Sequence, residues 1–157
     1  MEEKTNVMRI LDRAKVNYKE HTYDPNKALS GVEVAEYLNQ DTERVFKTLV
    51  TIGRSKEHYV FVIPVAEELD LKKAAKTVNE KSIEMEKSKE LLPLTGYVHG
   101  GCSPIGMKKQ FKTVIHCTAA EFNTIIFSAG KIGFQVELNI KDLMNIIDFK
   151  LADLIKK

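Results

Sequence analysis

Val45-Phe46-Lys47-Thr48-Leu49-Val50-Thr51-Ile52, followed by Gly53-Arg54-Ser55-Lys56-Glu57 and then Tyr59-Val60-Phe61-Val62-Ile63-Pro64-Val65, is the stretch that decides the fold. Two runs rich in β-branched and aromatic residues flank a short polar segment opened by glycine, the pattern of a β-hairpin. Strand alternation sets Lys47, Leu49 and Thr51 on one face and Phe46, Thr48 and Val50 on the other. Helices interleaved with such hairpin-linked strands argue for an α+β fold with a mixed sheet.

Working toward the N-terminus, Ser30-Gly31-Val32-Glu33 has the capping-box spacing and opens a helix that buries Val34, Ala35 and Leu38. Asp24-Pro25-Asn26 is a turn that ends a strand over 18–23. Val7, Ile10, Leu11 and Ala14 recur at helical spacing, which predicts a first helix over about 6–16.

Toward the C-terminus, Asp70 caps a helix through Val78, with Leu71, Ala74, Ala75 and Val78 inward. A helical stretch over 85–92 leads to Pro93, and strands follow over 113–116, 124–128 and 134–138. Asn139 then caps a last helical segment ending near Ile155. No repeat or linker interrupts the chain, so the expectation is one domain over 1–157. Its class is α+β, a mixed, largely antiparallel sheet with flanking helices.

Composition narrows the function classes. With 157 residues, 43% hydrophobic and 29% charged, the chain can bury a core and is not of disordered type. No apolar run reaches the roughly 20 residues of a membrane span, and MEEKTNVMRILDR has charges where a secretory leader is apolar. Two cysteines make no disulfide framework, and free thiols suit the cytoplasm. Net charge is only +2, so a nucleic-acid partner would be gripped at few points rather than coated.

Six of the eight glycines lie between Gly96 and Gly133, so this half of the chain supplies close-approach backbone. Gly96-Tyr97-Val98-His99-Gly100-Gly101-Cys102-Ser103-Pro104-Ile105-Gly106 is a long loop whose N–H groups could form an oxyanion nest; the alternative is a plain turn. Ser128-Ala129-Gly130-Lys131-Ile132-Gly133 reads as a glycine-bearing hairpin. Lys47 either points to solvent or is held in a cleft facing an anion. Cys102 has His99 nearby, but no third residue to orient a base, so a small buried hydrophobe is the competing reading. His116 and Cys117 point to opposite faces of a strand and make a poor zinc pair with His99 and Cys102; no metal or cofactor is implied. Lys72, Lys73 and Lys76 form a charged helix face that either is solvated or touches an RNA backbone.

Together, Val45-Phe46-Lys47-Thr48-Leu49, Leu69 to Lys76, Gly96 to Lys109 and Ser128 to Leu138 resemble the YbaK/EbsC family, free-standing relatives of the editing domain inserted in bacterial prolyl-tRNA synthetases. The four motifs occur in order over nearly the whole chain. The resemblance implies an aminoacyl-tRNA deacylase that removes cysteine wrongly attached to tRNA(Pro). It implies that Lys47 is the essential lysine and that Tyr23, Gly101, Ser128 and Gln135 line the site. Cysteine and proline are similar in size, and a synthetase pocket cannot strongly reject a near-isostere, so a second sieve is expected. Two positions depart from the family pattern: Ser30 stands where some relatives carry Phe, and Gln135 where others carry Asp.

From these readings the expected catalytic set is Lys47 with the N–H groups of Gly100 and Gly101. Tyr23, Ser30, Cys102, Ser103, Pro104, Ser128 and Gln135 are expected to contact substrate. The expected partners are the acceptor end of aminoacylated tRNA(Pro) and, by docking, prolyl-tRNA synthetase, with no membrane. Deacylation by water, with alanine or another small residue as substrate, is one alternative; a non-catalytic tRNA- or nucleotide-binding module is another.

Overall fold

The computed structural model describes residues 3–27 and 29–157. Met1 and Glu2, part of the stretch read for a leader, and Ala28, in the loop before Ser30, lie outside the described residues. The hairpin forms as β2 (Phe46–Gly53) and β3 (His58–Pro64), antiparallel with Lys47 opposite Ile63. β2 and β3 are central in a five-stranded sheet of order β4-β2-β3-β5-β8, with β4 at Ile83–Met85, β5 at Lys112–His116 and β8 at Lys150–Ala152. β5 joins β3 in parallel and β8 joins β5 in parallel. A second, antiparallel sheet has the order β1-β7-β6, from Lys19–Thr22, Phe134–Leu138 and Ile125–Ser128. The class is α+β, and its strands divide between these two sheets.

One parallel bridge, Val45 to Ile126, joins the sheets, reinforced by Ile126 N donating to Arg44 O at 2.9 Å. The bridge lays the start of β2 alongside β6, and this seam positions the candidate site.

Helix α1 (Asn6–Arg13) buries Val7, Met8 and Leu11 and ends sooner than the periodicity predicts. Lys15 follows in the left-handed region, at φ 59°, where the helix cannot continue. Helix α2 (Gly31–Tyr37) has the complete capping box, with Ser30 Oγ accepting from Glu33 N and Glu33 Oε1 accepting from Ser30 N. Such a cap contributes about 1 kcal/mol. Helix α3 (Leu71–Thr77) is capped by Asp70 as expected and buries Ala74 and Ala75, but Leu71 is exposed.

Two segments differ from the sequence reading. The helix predicted over 85–92 is displaced: Ile83–Met85 pairs with β2, and α4 runs Ser88–Thr95 with Pro93 inside it. The last helix is a single turn, α5 (Ile140–Leu143), and Lys150–Ala152 is strand rather than helix. In both cases an open sheet edge, on β2 or β5, outbids local helical periodicity by supplying backbone partners.

The main core lies between the sheets, around Phe46, Val50, Val60, Val62, Phe127 and Val136, with Tyr97, Cys102 and Ile105 packed in. Phe61, Ile63 and Val114 form a second core under α3. A third, small core of Ala35, Val45, Val65 and Ile126 holds α2 against the seam. Each Val, Ile or Phe side chain so buried contributes about 1.5–3 kcal/mol relative to exposure. No helix among the described residues is long and apolar enough to cross a membrane.

Candidate active site

Val45 and Ile126 both point into the small core beneath α2. Two residues on, in the same direction along strands bridged in parallel, stand Lys47 and Ser128. Strand periodicity therefore puts both on the face that Val45 and Ile126 present. Ser128 is opposite Gln135 across the β6–β7 pair, and Gln135 is opposite His21 across β1–β7. Lys47, Ser128 and Gln135, far apart in sequence, are thus brought to one seam.

The Lys47 side chain is half-buried, and its ammonium makes no hydrogen bond or ion pair among the described residues. Burial pushes its ammonium below the ordinary lysine value, and the charges of Glu68 and Glu67 only partly oppose this. A cation with a desolvation cost and no salt bridge is poised to gain from an anionic ligand. Ser128 Oγ accepts from Gly130 N at 3.1 Å, which leaves its hydroxyl proton free to donate. Gln135 is buried, and its Oε1 accepts from Gln40 Nε2 at 2.7 Å.

The two glycine turns pack against each other. A Cβ on Gly101 would stand 3.3 Å from Ile132 N, and one on Gly130 would meet the Tyr97 ring at 2.8 Å. Gly130 and Gly133 both have positive φ, which also favours glycine. Tyr23 N donates to Gly133 O at 2.9 Å, so the end of β1 is tied to the same turn. Between the turns lies an open cavity of about 610 Å³, lined by Tyr23, Tyr97, Val98, Ile132, Phe134 and neighbouring glycines. Lys47, Gly100 and Gly101 are not among its lining residues.

Several expected site residues have other work. Gly101 N–H donates to Val98 O at 2.9 Å and is not free for an oxyanion, whereas Gly100 N–H has no backbone partner among the described residues. Ser30 spends its hydroxyl on capping α2. Cys102, Ser103 and Pro104 are buried, and Cys102 belongs to the main core, with Sγ 3.7 Å from Val98 O. Burial pushes the Cys102 thiol up, with only partial opposition from Thr95, which disfavours a thiolate nucleophile. His116 is buried and Cys117 exposed, and among the described residues no three His, Cys, Asp or Glu side chains group to hold a metal ion.

The sequence reading missed a polar clasp beside Gln135. Glu137 accepts from Arg44 Nη2 at 2.8 Å and Thr124 Oγ1 at 2.5 Å, and its Oε1 lies 2.8 Å from His21 Nε2. Burial alone would raise the Glu137 carboxyl, but hydrogen bonds from Thr124 and His21 and the Arg44 charge hold it below the usual value. The signal was present: Gln135 and Glu137 are polar at alternate positions of a strand otherwise apolar at Phe134, Val136 and Leu138. The clasp ties β1 and β7 to the segments that lead into β2 and β6.

The family model for the aminoacyl-tRNA editing domain matches residues 25–146, a span that holds β2, both glycine turns and, of the clasp, Arg44, Thr124 and Glu137. The chain belongs to the aminoacyl-tRNA editing domain family. It is 45% identical over 157 residues, covering 99% of this chain and 96% of the relative, to an Enterococcus faecalis protein, EbsC, provisionally named a Cys-tRNA(Pro)/Cys-tRNA(Cys) deacylase. Among solved structures it shares its fold with a protein provisionally described as a trans-editing enzyme for prolyl-tRNA synthetase. That match has a TM-score of 0.82 and 20% identity over 99% of this chain and 100% of the other. A hypothetical protein aligns at TM-score 0.86 and 18% identity over 96% of this chain and 99% of the other.

Proposed function

We propose that this editing-domain protein, acting over its whole chain as one domain, releases cysteine mischarged on tRNA(Pro). The observation that carries the reading is Lys47, a half-buried ammonium without a salt bridge, held on the seam beside Ser128. Its family membership and the name of its Enterococcus faecalis relative support the substrate.

In the proposed mechanism Lys47 binds the phosphate or ribose of the terminal adenosine and holds the ester in place. An aminoacyl ester is already activated, so positioning and oxyanion stabilisation supply most of the catalysis. The free N–H of Gly100 faces the carbonyl oxygen, and Gly101 keeps its turn closed through Val98. The substrate's own thiol attacks the carbonyl carbon. A C–S bond forms, the bond from that carbon to the ribose oxygen breaks, and the thiol proton ends on the ribose oxygen. The products are free tRNA and a cyclic thiolactone. A nucleophile brought by the substrate explains selectivity for cysteine without a tight pocket.

The protein works in the cytoplasm, where its free thiols stay reduced. It docks on prolyl-tRNA synthetase, which supplies the choice of tRNA.

The test is a deacylation panel with cysteine, serine and alanine each attached to tRNA(Pro), with and without the synthetase. Cysteine is expected to leave much faster than the others. Equal rates for all three would reject thiol-assisted attack in favour of water, and binding without turnover would reject the enzyme altogether.

A further inference from the structure

The cavity between the glycine turns is too large for the amino acid that the seam would process. At about 610 Å³ this open hollow has room for a nucleobase, whereas a cysteine side chain is one CH2–SH group. Its walls are rings and aliphatic groups (Tyr23, Tyr97, Val98, Ile132 and Phe134), with glycine backbone at Gly96, Gly130 and Gly133. At its rim, exposed Lys131 holds its ammonium 5.5 Å from the centre of the Phe134 ring. Rings beside a cation are how proteins hold unpaired nucleotides, the base on an aromatic face and the phosphate on the charge.

The cavity shares a wall with the proposed reaction site, although Lys47, Gly100 and Gly101 do not line it. Ser128 on the seam bonds to Gly130 N, and Ile132 of the same turn packs on Gly100 and Gly101. We infer that this cavity is a stacking subsite for the unpaired nucleotide that precedes the esterified adenosine, with Phe134 and Tyr23 presenting the rings and Lys131 meeting the phosphate. The inference rests on the reading that the terminal adenosine is held at Lys47. The cavity also has a resident competitor. Glu3 lines it, and its carboxylate is ion-paired with Lys131, where the phosphate would sit. Entry of RNA exchanges that carboxylate for a phosphate, so Glu3 tunes affinity at the rim.

The test uses the full chain and an uncharged RNA hairpin ending in unpaired C-C-A, with 2-aminopurine in place of the base before the terminal adenosine. Binding should quench the fluorophore, and a blunt hairpin without the overhang should bind much more weakly. Phe134→Leu keeps apolar bulk against the core while removing the ring, and should weaken overhang binding by about 5- to 150-fold, the loss of one stacked base. Lys131→Ala should lower the salt dependence by about one counterion. Glu3→Gln should tighten binding by about 2- to 5-fold, the worth of an exposed ion pair. Equal affinity for blunt and overhanging hairpins, or unchanged affinity in Phe134→Leu with a native melting curve, overturns the inference. The RNA carries no amino acid, so quenching that persists in a protein unable to deacylate any charged tRNA would sink the enzyme reading and leave the subsite standing.

Discussion

Replacing Lys47 by Met separates the ammonium from the stem that carries it. The methionine keeps an unbranched apolar chain on β2, between the small core under α2 and Leu49 at the edge of the core under α3. No salt bridge is broken, because Lys47 makes none among the described residues. Removing a partly desolvated charge also relieves a cost, so stability should stay within about 0.5 kcal/mol of the parent or rise slightly. For a chain of this size that is a melting shift of about 2 °C or less. Activity should respond very differently. Loss of one charged group that positions or stabilises the reacting ester costs about 2.7–4 kcal/mol, or roughly 10²- to 10³-fold in kcat. The assay is release of labelled cysteine from tRNA(Pro) at saturating enzyme, alongside a thermal melt. Near-normal release by Lys47→Met would refute the assignment. A fall in activity matched by a large drop in melting temperature would also refute it, since Lys47 would then be a structural residue. The parent adds a pH signature. Burial lowers the Lys47 pKa from 10.5, so the charged form is lost at a pH below that value. The substrate thiol ionises in both proteins, so the signature is the ratio: after subtraction of spontaneous ester hydrolysis, the parent's rate relative to that of the Met variant should decline there.

Two further outcomes follow from the geometry. Cys102→Ala should remain active with a modestly lower melting temperature, because the thiol is buried in the main core and burial pushes its pKa up; a folded but inactive variant would restore a covalent mechanism. His116 accepts a hydrogen bond on Nδ1 from Leu154 N at 3.1 Å, and burial lowers its pKa from 6.5. The neutral ring therefore stabilises the fold above pH 6.5, and that contribution is lost as pH falls from 6.5 through the folded value, where the unfolded chain binds the extra proton. Urea midpoints measured from pH 7.5 to 5 should drop in the parent and drop less in His116→Ala; parallel curves would show that His116 does not carry the pH dependence.

Local chemistry made much of this protein legible. The hairpin of β2 and β3 and the caps at Ser30 and Asp70 depend on neighbours within a few residues, and each formed as read. The motifs around Lys47, Gly101 and Ser128 were visible for the same reason, as glycine pairs and a charge in an apolar run are marks of sequence alone. What β4 and β8 show is the limit of such reading. Ile83–Met85 and Lys150–Ala152 became strands because sheet edges stood beside them, and an edge belongs to no local pattern.

The sequence by itself determined which residue types were available: a lysine in an aliphatic strand, glycines where backbones touch, and alternating polar positions on β7. Only the tertiary structure decided which of them meet. A single parallel bridge between Val45 and Ile126 sets Lys47 beside Ser128, across 81 residues of chain, and the packing of Ile132 on Gly101 closes the two turns. Tertiary structure also decided which groups were already spent, the N–H of Gly101 on Val98 and the hydroxyl of Ser30 on its helix. Hydrogen-bond capacity is finite, and its allocation is settled by neighbours that only the folded chain supplies.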